Sequence, residues 1–277
     1  MQEIDDEGSR DGSIVALAGA TGGAGTTRTA VELATTLARD GRSAVVVDAA
    51  FSTQGLSEYV SGRIVPDVTA LVTEASAEPV PAATIPFPER GPDAAGSGEP
   101  AAESFGSVEL LPARAPFERL ARAQTPAAAE TFEALLRDAG AAFDHVIVDV
   151  PPVASNQAIA AVSSADVVVA VTPGSDHGRD ALVRLRDRLE DLGVRTDAAV
   201  SVGDDLSAAD LSLPETEPSP LEAPSCLEDD PYGEALVALA ERAFDCTLSV
   251  EFGPDGVRDR VSTAVADRMD SITTGDS

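Results

Sequence analysis

The sequence has no lysine and no tryptophan, and only two cysteines and two tyrosines among its 277 residues. Each scarcity excludes something. Without lysine, all 19 basic residues are arginine, so the clustered cations that neutralise nucleic-acid phosphates are thin, and direct DNA binding is not expected. With aromatics at 4%, the core has to be built from Ala, Val and Leu. Cys226 and Cys246 have no metal-like spacing and form no disulfide framework; they read as two reduced thiols. No apolar run approaches the length of a membrane span. Met1 to Asp11 is acidic and polar, unlike a signal peptide, so a cytoplasmic protein is expected.

What is abundant is acid. Forty-eight Asp and Glu against the arginines give a formal net charge of -29, and the pI is about 4.1. The acids run from Asp5 to Asp276 without forming one block. That spread fits adaptation of the whole surface to molar salt, which screens self-repulsion, better than one acidic face made for a basic partner.

Short apolar runs alternate with helical periodicity. Residues 14–18 read as a buried strand, Thr27 to Asp40 as a helix on Ala30, Leu33, Ala34 and Leu37, and residues 44–48 as the next strand. Strand, glycine loop, helix and strand make a βαβ unit, whose crossover forces the strands parallel. Further strands are expected at 108–112, 145–150, 166–171 and 197–202. Helices are expected at 127–142, Asp176 to Leu192 and Pro231 to Phe244. The fold class is α/β, a doubly wound, mostly parallel sheet with helices on both faces. Residues 1–12 read as an acidic tail and 13–246 as one domain. Proline-rich insertions at 75–106 and 203–230 are expected to be disordered. Residues 247–277 form a C-terminal extension, with a strand at 247–252 and a weak helix from Arg258 to Ile272.

The segment from Gly19 to Thr29, between strand and helix, carries the chemistry. Glycines there let successive backbone N–H groups point at one anion beside the positive end of a helix. Gly22, Gly23, Ala24, Gly25, Thr26 and Thr27 are the candidate phosphate-binding residues. The run TGGAGTTRTAVELATTLARDGRSAVVVDAA resembles the deviant Walker A opening of ParA/MinD-type P-loop ATPases of the SIMIBI class, KGGxGKTTxAxNLAxxLAxxGxxVLLIDxD. Residues 143–152 (FDHVIVDVPP) resemble that family's YDYVIIDTPP strand, and the likeness covers roughly residues 13–246.

The resemblance implies a P-loop NTPase fold, ATP or ADP with magnesium as the ligand if one is bound, and Thr27, Asp48 and Asp149 around the metal. It also implies a homodimer, or a heterodimer with a ParA/MinD-like paralogue, and a further protein partner that the sequence does not name. The acidic, lysine-free composition marks the chain as the kind that a halophilic archaeon would carry.

Three departures stand against this pattern. The Walker lysine position is Thr26, the family's second lysine falls on Thr21, and the second Asp of IDxD, which helps activate water in the family, falls on Ala50. The adenine-side Asn is also missing from 200–203 (VSVG). A charged hydrogen bond to phosphate contributes ~1.5–3 kcal/mol, and a cation at the transferring phosphoryl group ~10³–10⁵ in rate. Arg28 lies two positions past Thr26, and residues so spaced point to different sides of a helix, so it is not expected to substitute. Avoidance of lysine does not account for Ala50, and a phosphate-binding lysine has no equivalent replacement.

The sequence therefore reads as a degenerate, non-hydrolysing ParA/MinD-like protein, a regulatory or interaction module in partitioning or positioning, with no catalytic residue assigned. Two alternatives stay open: a slow but active Mg-ATPase of the same family, and a sensor of another anion in the surviving cradle. The expected C-terminal helix has Val261, Val265, Met269 and Ile272 on one face. Its arginines are matched by Asp259, Asp267 and Asp270, so membrane anchoring is not expected. His145 reads as a packed or partly exposed residue and not a base, and His177 as a solvated one. Ser175 and Asp176 read as helix N-cap candidates.

Overall fold

The apolar runs become strands, and the strands arrange themselves around the first of them. The computed structural model describes residues 12–74, 79–87, 105–216, 223–226 and 231–250. Strand β1 (Ser13–Gly19) leads through the glycine loop into helix α1 (Thr26–Arg39) and strand β2 (Ser43–Asp48), followed by a 3-10 turn at Gly55–Tyr59. Helices α2 (Val68–Thr73) and α3 (Val80–Ala83) precede strands β3 (Ile85–Pro86) and β4 (Ser107–Leu111). Then come α4 (Phe117–Ala123), α5 (Pro126–Ala142), β5 (His145–Val150), α6 (Asn156–Ser164), β6 (Val167–Pro173) and α7 (Asp176–Asp191). Strands β7 (Ala198–Val202) and β8 (Leu211–Leu213) and helix α8 (Pro231–Phe244) complete the described chain.

The sheet order is β3-β4-β2-β5-β1-β6-β7-β8, and every pairing is parallel except the antiparallel β3–β4 edge. Alternation along each strand sorts the core into two layers. On β5, Val146, Val148 and Val150 face the layer containing Phe132, Leu136, Leu182 and Leu189 of α5 and α7. Ile147 faces the opposite layer, with Leu33 and Leu37 of α1 and Leu236 and Leu239 of α8. The same period puts Asp149 on the α1 side, which decides what it can touch.

Two expected insertions are only partly irregular. Within 75–106, residues 80–83 form α3 and 85–86 form β3; within 203–230, residues 211–213 form β8. The prolines that argued against structure occupy positions that tolerate them. Pro81 lies in the first turn of α3, where an N–H has no helical partner, and Pro86 is on a two-residue edge strand. Phe87 N still donates to Val108 O at 2.8 Å. The remainder of the expected disorder, at 75–78, 88–104, 217–222 and 227–230, lies outside the described residues, as does the helix expected at 258–272. The strand expected at 247–252 does not form over its described part, residues 247–250. Those residues run along Arg42 and Asp40 instead, with Ser249 N donating to Asp40 at 2.7 Å. Ser175 caps α7, accepting from Gly178 N. No described helix is long and apolar enough to cross a membrane.

At the N-terminal ends of the strands, His145 is buried against Phe244, with ring centroids 4.5 Å apart. Arg42 can only donate, so His145 Nε2 accepts from Arg42 Nη1 at 3.2 Å and Nδ1–H donates to Ser13 Oγ at 3.0 Å. Burial, and secondarily the Arg42 charge, push the imidazole down to about 4. An unfolded histidine binds its proton near pH 6.5, whereas this one does so only near 4, so acid favours the unfolded chain across that window. The stability of wild type should fall relative to His145→Phe as pH drops from 6.5 to 4. Paired thermal melts check this; a constant difference over the window would show that His145 is already charged when folded.

Candidate functional site

A cleft of about 710 Å³ opens at the C-terminal ends of β1, β5, β6 and β7. It sits where the chain from β1 turns to one side of the sheet and the crossover from β5 to β6 carries it to the other. Such switch points are where open α/β sheets take their ligands. The volume falls within the range of small-molecule sites, ~300–1,000 Å³.

The glycine loop forms one wall. Gly23 and Gly25 have φ of 74° and 87°, the left-handed region that side chains disfavour, and this turns the loop into the helix. Gly25 is the N-cap of α1 and supplies no side-chain cap, and the first turn holds no acidic residue. The N–H groups at that end are left to face an incoming acceptor. Thr21, Gly22, Gly23, Ala24, Gly25, Thr26 and Thr27 all line the cleft, as do Ala50 and Asp149. Thr27 Oγ1 donates to Asp149 Oδ2 at 2.6 Å, joining the start of α1 to the end of β5.

Asp48 is placed differently. Its Cα neighbours that of Asp149 across the β2–β5 pairing, but its carboxylate is fully buried and engaged with backbone. Oδ1 accepts from Ala50 N at 2.7 Å and Oδ2 from Ala113 N at 3.1 Å, so Asp48 fixes the loop tips after β2 and β4. Burial raises the affinity of both carboxyls for a proton, most strongly at Asp48, where the Asp149 charge adds to it. The Thr27 hydrogen bond works the other way at Asp149. Ala50 brings only a methyl group to the cleft.

Arg28 is the single basic side chain among the described residues of the lining, and it is committed elsewhere. Its Nε donates to Glu32 Oε1 at 2.6 Å, one turn along α1, and its Nη2 to Ser225 Oγ at 2.6 Å. Glu32 is fully buried and also accepts from Ser225 N at 2.8 Å and Cys226 N at 2.9 Å. The expectation that Arg28 does not replace the lysine has a structural cause beyond helix geometry. Both tyrosines of the chain, Tyr59 and Tyr232, line the same end of the cleft. Burial pushes the Tyr59 phenol up to about 12, so it stays protonated and able to donate. Sequence reasoning passed over Glu32, Tyr59 and Tyr232. An acid among apolar helix positions was the available signal for the first, and their rarity for the tyrosines. Cys226 and Cys246 are both free thiols, and no cluster of metal-ligating side chains occurs among the described residues.

No protein-family model and no curated protein matches the sequence. Solved structures do match its fold. A chain of the MinC:MinD cell division protein complex of Aquifex aeolicus has a TM-score of 0.66 at 19% identity, over 86% of this chain and 98% of that one. The septum site-determining protein MinD of Pyrococcus horikoshii, in complex with Mg-ADP, has 0.61 at 18%, over 83% and 94%. A ParA family ATPase from Chlorobium tepidum has 0.60 at 16%, over 82% and 98%. The chain has the P-loop fold of the MinD and ParA ATPases.

Proposed function

We propose that this protein is a degenerate ParA/MinD-like P-loop protein that binds a nucleotide with Mg²⁺ without hydrolysing it, and acts as a regulatory or interaction module in a salt-rich cytoplasm. The observation that carries this reading is a cleft with its glycine loop and Thr27–Asp149 pair intact, while the one basic residue among its described lining is held by Glu32. The residues present fit the ligand. Backbone N–H groups at the start of α1, which has no side-chain N-cap, would face the phosphates, and Thr27 and Asp149 offer oxygen ligands of the kind Mg²⁺ takes. Bound there, Mg²⁺ would neutralise phosphate charge. Asp48 holds the loop that carries Ala50 but sends no oxygen into the cleft. On this reading Ala50, where the resemblance expects a water-activating Asp, is what separates binding from turnover.

The solved relative from Aquifex aeolicus is a complex of MinD with MinC, which supports reading this chain as one that docks a second protein. For this chain, that partner is a second copy or an active paralogue. The slow Mg-ATPase remains the second reading, and the Thr27–Asp149 hydrogen bond is what favours it.

Equilibrium binding of ATP with Mg²⁺ and release of labelled phosphate, both in molar KCl, test the reading. Saturable binding with phosphate release at background is the expected result. Thr27→Ala should weaken Mg²⁺-dependent binding by about tenfold or more, the loss of one charge-assisted ligand. Turnover in wild type that Thr27→Ala abolishes would establish the ATPase instead.

A further inference from the structure

Phe117, the first residue of α4, is 85% exposed, while every other phenylalanine among the described residues is buried or half-buried. On the adjoining loop Ile64 is buried and its neighbour Val65 is 66% exposed. Large apolar side chains held in water beside charge mark places where another molecule docks.

The exposure of Phe117 does not come from slackness in its loop. Each of residues 112–115, which lead into α4, is fastened to a different partner. Pro112 O accepts from Val68 N at 3.1 Å, and Ala113 N donates to Asp48 at 3.1 Å. Arg114 O accepts from Arg119 Nη2 at 3.2 Å, and Ala115 O from Gln54 Nε2 at 3.3 Å. Arg119 also donates to Asp67 and, at 3.0 Å, to Thr69 Oγ1, which ties the loop of Val65 to that of Phe117. Through Asp48 and Gln54 the same support reaches the segment that carries Ala50 in the cleft wall. An aromatic ring on so fixed a mount has little freedom left to lose on docking.

Charge around the ring runs against that of the chain. Residues 60–74 and 112–124 hold Arg63, Arg114, Arg119 and Arg122 against Asp67, Glu74 and Glu118. Arg119 takes Asp67 and Glu74, which leaves Glu118 against three exposed arginines that pair with no acid among the described residues. In a chain of net charge -29 this is a cationic and apolar island.

Resting on the interaction-module reading above, we infer that the face carrying Arg63, Val65, Arg114 and Phe117 docks a further protein partner, through a segment that sets a large apolar side chain between carboxylates. Phe117 and Val65 give the apolar contact, and the arginines meet the carboxylates. Aromatic and arginine side chains are the ones that carry most interface energy. In molar salt the Debye length is about 3 Å, so these arginines select by touch and not by steering from a distance.

The test exposes the immobilised full chain, in molar KCl, to a displayed library of random peptides. Enriched peptides should place Leu, Ile or Phe among Asp and Glu. Phe117→Ser and Arg114→Glu should each lower their affinity by about tenfold or more, the loss expected of an interface anchor. Peptides with Lys in place of the carboxylates should bind the Arg63→Glu, Arg114→Glu double variant better than they bind wild type. All three substituted side chains are exposed, and circular dichroism checks that the fold persists.

Enrichment without acidic residues, or acidic peptides that bind Phe117→Ser as tightly as wild type, would overturn this face and leave the interaction-module reading to another surface. A wild-type dimer that Phe117→Ser dissolves would give the face to a second copy and overturn the partner assigned to it. No enriched peptide at all would remove the face and count against the interaction module as well.

Discussion

A triple variant, Thr21→Lys, Thr26→Lys and Ala50→Asp, is expected to release phosphate from ATP about a thousandfold faster than wild type, the lower end of what a cation at the transferring phosphoryl group contributes. The three positions line one cleft. The two lysines supply charge where phosphate charge develops, and the carboxylate at 50 positions water. Asp48 already holds the Ala50 N–H at 2.7 Å, so the backbone that presents position 50 is fixed before the substitution is made. Thr26→Lys alone should leave phosphate release at background, since binding and hydrolysis then still lack the group that orients water. Turnover in that single variant would show that Ala50 is not the missing element. A phosphate-release assay across the single, double and triple variants separates these outcomes.

Glu32→Ala is expected to be the most destabilising single change in the neighbourhood of the cleft. It strips the partner from Arg28, only 10% of whose side chain is exposed, and from the Ser225 and Cys226 amides. Breaking a buried ion pair from one side costs about 3–5 kcal/mol, because the remaining charge stays buried after losing its counter-ion. For a domain of this size, that lowers the melting temperature by roughly 10 °C. Amide exchange at Ser225 and Cys226 should speed up beyond the global change, since their carboxylate acceptor is gone. A loss below about 1 kcal/mol would mean that water reaches Arg28 and replaces the carboxylate.

The α/β order was legible because the signals that set it are local. The run HVIVDV is a strand over the very residues 145–150, and Pro231–Phe244 is a helix over the residues its periodicity marks. The glycine loop was legible for the same reason, since strand, glycines and helix are contiguous. What escaped the sequence depends on distant partners. Val80–Ala83 and Ile85–Pro86 look irregular until α5 and β4 are placed beside them. Leu211–Leu213 becomes a strand only because β7 offers an edge. Glu32 was passed over, because residues 225–226, almost two hundred positions later, are what fold over it. Asp48 could be placed at a strand end, but not the direction of its oxygens, which Ala50 and Ala113 determine.

The two outermost strands of the sheet, β3 and β8, are two and three residues long, and β3 ends on Pro86. At low salt the charge of -29 keeps copies of this chain apart, but at molar salt the Debye length shrinks to about 3 Å and that protection goes. The sheet margins then become the defence against fibrous association. A margin of two residues ending in proline offers a neighbouring chain too few free N–H and C=O groups to template a ladder. Colloidal stability in brine therefore rests on the shape of the sheet's borders, and lengthening either border would cost solubility in the solvent where charge no longer helps.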